Sequence, residues 1–185
     1  RAFFNFEQKV LEEVFSSEDR TVLYKNYPSD GLSERYLGRG YARSKPNVHY
    51  YDGELLVHQL AGHARALICM GPTSTLGWAL ASGRPVFYLL PPGGMLELPD
   101  FLELLRAAVF VVDLNEDEGS WENFRNTVYR DFDDILTEWN AKAPARDVFW
   151  STYMCIDGEK GVRNTGKRLR AMMRSGGLLH KKCLE

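Results

Sequence analysis

Residues 66–90 read ALICMGPTSTLGWALASGRPVFYLL, and this stretch decides the fold. Ala66–Met70 and Val86–Leu90 are continuous apolar runs, which are typical of parallel strands covered on both faces. A Gly-Pro turn breaks the chain after the first run, and Ser74–Ser82 follows as a helix of small residues that a Gly-Arg-Pro segment ends. This order of strand, helix and strand indicates a βαβ unit and therefore a parallel sheet.

The same alternation extends in both directions from this stretch. Helices are predicted at 2–15, 54–64, 74–82 and 101–108, and strands at 21–24, 48–51, 66–70, 86–90 and 109–112. After Asp113 the chain becomes acidic and helical, with one apolar face made by Trp121, Phe124, Val128, Phe132, Ile135 and Trp139. Short helices are also predicted at 34–37 and 164–174. The predicted fold class is α/β, a Rossmann-like doubly wound parallel sheet with a helical C-terminal extension.

Composition and charge exclude several classes of protein. The chain has 185 residues, of which 44% are hydrophobic, and its net charge of −2 argues against a nucleic-acid binder. Cys69, Cys155 and Cys183 are odd in number and widely spaced, which favours a reducing compartment. No apolar run approaches the roughly 20 residues that span a bilayer. These features predict a cytoplasmic protein.

The two ends of the sequence carry an expectation about its boundaries. The chain opens at Arg1 without an initiator Met, which is typical of a cut inside a longer protein. The last two residues, 184–185, are interpreted as a tag remnant. We therefore expect one nucleotide-binding domain, residues 1–183, that belongs to a larger two-domain protein.

Two positions at predicted strand ends are the candidates for binding phosphate. Ligands of open α/β sheets bind beyond the carboxyl ends of the strands. Lys25 follows the strand at 21–24 and would place an ammonium there. After the strand at 66–70, a turn opens a helix, where free N–H groups and the helix dipole favour an anion. Its candidate residues are Gly71, Thr73, Ser74 and Thr75. Taken alone, Lys25 is equally well a solvated lysine, and the turn more often an ordinary helix cap.

Other common sites are missing from the sequence. The four histidines make no metal-ligand spacing, and no GxSxG, Walker A or GxGxxG motif is present. We therefore expect no metal and no cofactor.

Three segments together resemble a known family. They are residues 22–28 (VLYKNYP), 47–51 (NVHYY) and 66–90, and 157–163 is a looser match. In order and spacing they are similar to the C-terminal domain of bacterial GT-B glycosyltransferases that build capsule, teichoic acid and other surface polysaccharides. The sequence departs from that family at Tyr27, where relatives have His, and at Trp78, where many have Glu.

The resemblance implies transfer of a sugar or related group from a nucleotide donor to a surface-glycan acceptor. It implies that Lys25 and the hydroxyl-rich turn at 73–75 hold the donor phosphates, without a metal. The acceptor site and the general base would come from an N-terminal domain, so this chain alone should not transfer sugar. The whole protein would associate peripherally with the membrane. Two alternatives remain: a non-catalytic binding or scaffold domain of the same fold, and half of a sugar-nucleotide epimerase.

Overall fold

A computed structural model describes residues 2–14, 20–25, 40, 44–51, 53, 55, 57–70, 74–91, 99–114 and 118–154. The strands are β1 (Val22–Tyr24), β2 (Val48–Tyr50), β3 (Leu67–Met70), β4 (Val86–Leu90) and β5 (Phe110–Asp113). The helices are α1 (Ala2–Val14), α2 (Val57–Ala61), α3 (Ser74–Ala81), α4 (Pro99–Ala108), α5 (Glu118–Val128), α6 (Phe132–Ala141) and α7 (Ala143–Phe149), followed by a π-helical turn (Trp150–Met154).

All the strand pairs are parallel. β1 pairs with β2, and β3, β4 and β5 form a second sheet in that order. The α/β class, the parallel direction and the predicted strand positions are confirmed to within one residue at each end. Over the described ranges the strands form two small sheets instead of one, and a single doubly wound sheet stays a prediction.

The prediction that residues 66–70 form a strand covered on both faces was wrong. Ile68 is 39% exposed, and Leu67 and Met70 are only partly buried. β3 pairs with β4 alone among the described strands. β4 lies between two neighbours, and all five of its side chains are buried, as predicted.

The aromatic face of the C-terminal helices is part of the core. Trp121, Phe124, Val128, Ile135 and Trp139 are buried, and Phe132 is partly buried. The ring of Phe6 on α1 lies 6.0 Å from that of Trp121. Asp131 separates α5 from α6, because its side chain accepts a hydrogen bond from the N–H of Asp133 at 2.8 Å and so caps α6. The predicted packing role of this face is confirmed.

The helix predicted at 54–64 is shorter than expected. α2 covers Val57–Ala61, and Leu55, which falls inside the predicted range, is 43% exposed. Leu55 precedes the helix, and its N–H donates to the phenolic oxygen of Tyr51 at 3.3 Å. The short helices predicted at 34–37 and 164–174, and the segment 157–163, lie outside the described residues. None of the described helices is long and apolar enough to cross a bilayer.

Candidate functional site

Lys25 lies at the carboxyl end of β1, where the sequence predicted it. Its Nζ is 3.4 Å from the carbonyl oxygen of Gly53 and 5.1 Å from the centre of the Tyr51 ring. The hydrogen bond is longer than the usual 2.7–3.2 Å, so it is a weak one. The ammonium therefore keeps donor capacity for a further acceptor at this edge.

The pairing of β1 with β2 explains why Lys25 and Tyr51 meet. Tyr24 lies opposite Tyr50 in the parallel register, and their rings are 5.7 Å apart. The N–H of Tyr51 donates to the carbonyl of Tyr24 at 2.8 Å, which continues the ladder past the last strand residue. Lys25 and Tyr51 thus leave the sheet side by side at its carboxyl edge.

The second predicted element, the turn before α3, is described only from the start of the helix. α3 begins at Ser74, four residues after Met70 ends β3, and Thr75 lies partly buried in its first turn. Gly71, Thr73 and the side chain of Ser74 lie outside the described residues. Lys25 and α3 follow strands of two different sheets. The structure brings Lys25 together with Tyr51 and Gly53, and Thr75 lies at the end of the other sheet.

Tyr51 and Gly53 were not identified as site residues from the sequence. The sequence predicted Tyr51 as the last residue of the strand at 48–51, whereas β2 ends at Tyr50 and Tyr51 directly follows it, as Lys25 follows β1. Trp78, at the position where relatives of the resembled family carry Glu, is 49% exposed on α3. An exposed indole at this place can stack on a planar ligand, but it cannot accept a hydrogen bond as a carboxylate would.

Cys69 is the third residue of β3 and is followed by Met70, the last residue of that strand. Burial raises the pKa of its thiol from 9.0 to about 12. Because the folded-state pKa lies above the unfolded one, the thiol contributes stability below pH 9 that is lost as the pH rises from 9 towards 12.

We expect the parent to lose about 1 kcal/mol more unfolding free energy between pH 9 and pH 10 than Cys69→Ala does. Urea unfolding at the two pH values measures this difference, and every titratable group other than Cys69 is shared by both proteins. Parallel slopes for the two proteins would contradict the burial of the thiol.

A metal centre does not emerge from the described part of the chain. There, no group of three or more His, Cys, Asp or Glu side chains is arranged to hold an ion. His49 and His63 are exposed. The side chain of His58 and the whole of His180 lie outside the described residues.

Comparison with known proteins adds no assignment. No protein-family model matches the sequence, no curated protein matches it, and no solved structure matches it. The geometry around Lys25 is therefore the basis for the proposed function.

Proposed function

We propose that this chain is the donor-binding half of a GT-B-type glycosyltransferase, which holds the phosphates of a nucleotide-linked sugar beyond the carboxyl ends of its parallel strands. The observation that carries the proposal is the Lys25 ammonium at the end of β1, whose bond to the Gly53 carbonyl is 3.4 Å long. A phosphate oxygen would offer this ammonium a shorter, charge-assisted hydrogen bond. Ligands of open α/β sheets bind at this edge.

The chemistry of transfer requires charge stabilisation on the donor side. When the bond from the sugar to the diphosphate breaks, negative charge grows on the departing phosphate. A fixed ammonium and the N–H groups at the start of α3 stabilise that charge better than bulk water does, because they are oriented before the reaction. In this proposal Lys25 contacts the leaving group, and Thr75 lies in the helical turn nearest the phosphates. The acceptor glycan and the general base belong to the partner domain.

A non-catalytic binding domain is the second candidate. The observation that favours it is Trp78, an indole 49% exposed where the resembled enzymes carry a carboxylate that holds the donor ribose. Such a domain would bind a nucleotide or another planar ligand without turnover.

Thermal unfolding with CMP, CDP, UDP and GDP tests the proposal. A ligand at about 100 times its Kd stabilises the folded state by about 2.7 kcal/mol. For a chain of this size, that corresponds to a Tm increase of roughly 5–10 °C. We expect the matching nucleoside diphosphate to produce this increase, and CMP a smaller one because it offers a single phosphate.

The identity of the diphosphate that raises Tm most would define the donor base. If none of the four nucleotides raises Tm, donor binding is contradicted. Binding without turnover, even when a partner domain is supplied, would favour the second candidate over the enzyme.

A further inference from the structure

The ring of Tyr51 lies close to both Lys25 and Gly53. The Lys25 ammonium is 5.1 Å from the ring centre, within the roughly 6 Å over which a cation is attracted to an aromatic face. A Cβ added to Gly53 would lie 2.5 Å from Cζ of Tyr51 and 3.0 Å from its Cε1. The phenolic oxygen accepts the N–H of Leu55 at 3.3 Å. The Tyr51 ring thus contacts the Lys25 ammonium, and part of the ring occupies the place where a Cβ on Gly53 would lie.

We infer that Tyr51 is a positioning residue, whose ring holds the Lys25 ammonium at the carboxyl edge of β1 and β2, where an anion can reach it. The bound anion is a donor diphosphate only if the proposed function is correct, and in that respect the inference rests on it. A lysine side chain has four rotatable carbons and samples many rotamers when it is unsupported. The ring and the Gly53 carbonyl reduce that freedom before any ligand arrives, which improves affinity by preorganisation.

The small size of Gly53 leaves room for the Tyr51 ring. The left-handed φ among the described glycines belongs to Gly83, at 71°, so backbone conformation does not explain a glycine at position 53. What explains it is the Tyr51 ring, which occupies the space that any Cβ would need. Gly53→Ala therefore displaces the ring without altering a functional group of Tyr51 or Lys25.

This geometry provides four matched variants. Tyr51→Leu deletes the ring, and Gly53→Ala displaces it. Tyr51→Phe keeps the ring and loses only the oxygen that accepts the Leu55 N–H. Gly62→Ala is the control glycine, because a Cβ there would meet no atom within 4 Å. Gly53 and Gly62 are both exposed, so the two alanine variants are expected to fold, and thermal melts check this.

The first readout is the NMR signal of Lys25 in protein whose lysines carry ¹³C-methyl groups, assigned by its loss in Lys25→Arg. The ring current of Tyr51 shifts this signal in the parent. We expect Tyr51→Leu and Gly53→Ala to move it towards the position of exposed lysines, and Tyr51→Phe and Gly62→Ala to leave it in place. A signal that stays in place in Tyr51→Leu, or a Gly53→Ala signal that matches Gly62→Ala, would overturn the inference.

The second readout is a titration with inorganic pyrophosphate, followed on the same signal. Loss of an exposed cation–π contact corresponds to about a two- to fivefold weaker Kd. We expect that loss in Tyr51→Leu and Gly53→Ala, and none in Tyr51→Phe or Gly62→Ala.

The two readouts distinguish the positioning of Lys25 by Tyr51 from the proposed binding of a nucleoside diphosphate. If the Lys25 signal moves as expected but neither pyrophosphate nor any nucleoside diphosphate binds, the positioning stands and the proposed function fails. If nucleoside diphosphates bind the parent and Tyr51→Leu equally well with an unmoved signal, the positioning fails and the proposed function stands.

Discussion

Trp139→Ala is expected to lower the free energy of unfolding by about 3–5 kcal/mol, the usual cost of removing a buried large aromatic side chain. Trp139 is only 2% exposed, and its ring stacks on Phe110 of β5 at 6.3 Å. Its Nε1 donates to the carbonyl of Gly83 at 3.0 Å. The guanidinium carbon of Arg146 lies 3.7 Å from the centre of the Trp139 ring. One side chain thus joins α6 and α7 to the sheet that carries β4 and β5.

Two control variants separate the sources of this stabilisation. Trp139→Phe keeps an aromatic ring but loses the N–H, so we expect a cost of about 1–2 kcal/mol from the lost hydrogen bond and reduced packing. Leu136→Ala, on the same helix but 37% exposed, should change stability by less than about 1 kcal/mol. Urea denaturation measures all three variants. A cost for Trp139→Ala no larger than that for Leu136→Ala would contradict the packing described for α6.

The strand positions could be predicted because each strand is a short apolar run ended by turn residues. Val86–Leu90 is the clearest case, since it lies between two strands and every one of its side chains is buried. The exposure of Ile68 could not be predicted from the same kind of run. Whether an apolar strand is central or at an edge depends on which strands pair with it, and that is a long-range property. The break between α5 and α6 was not predicted, although Asp131 is a residue type that favours the N-cap position.

The candidate site was predictable in part, for a similar reason. Lys25 could be placed because a residue that follows a parallel strand lies at the ligand-binding edge. Tyr51 and Gly53 were missed because their role depends on the register of β1 against β2, which sets Tyr24 opposite Tyr50 and so brings Lys25 to the ring. The register of two strands depends on the contacts between them, so the sequence of either strand alone does not reveal it.

Lys25→Ala is expected to weaken the binding of a nucleoside diphosphate at least about tenfold, which corresponds to about 1.4 kcal/mol. Hydrogen bonds to charged groups contribute about 1.5–3 kcal/mol each, so the loss of the ammonium accounts for this change. Folding stability should change little, because the contacts of Lys25 are a 3.4 Å hydrogen bond and one ring at an exposed edge.

Lys9→Ala is the matched control for this variant. Lys9 is also a lysine over an aromatic ring, 4.4 Å from the centre of Trp121, but it lies on α1 and not at a strand end. Both variants remove one positive charge and one cation–π contact. A general effect of net charge on an anionic ligand would therefore appear in both, and a site at the carboxyl edge would appear in Lys25→Ala alone.

The most direct test asks whether Lys25 binds the phosphates of the donor. It is titration calorimetry of the parent, Lys25→Ala and Lys9→Ala with the nucleoside diphosphate that stabilises the parent most. We expect one site per chain in the parent, a Kd at least about tenfold weaker in Lys25→Ala, and a Kd within about twofold of the parent in Lys9→Ala. Equal Kd values for the parent and Lys25→Ala would contradict this role of Lys25.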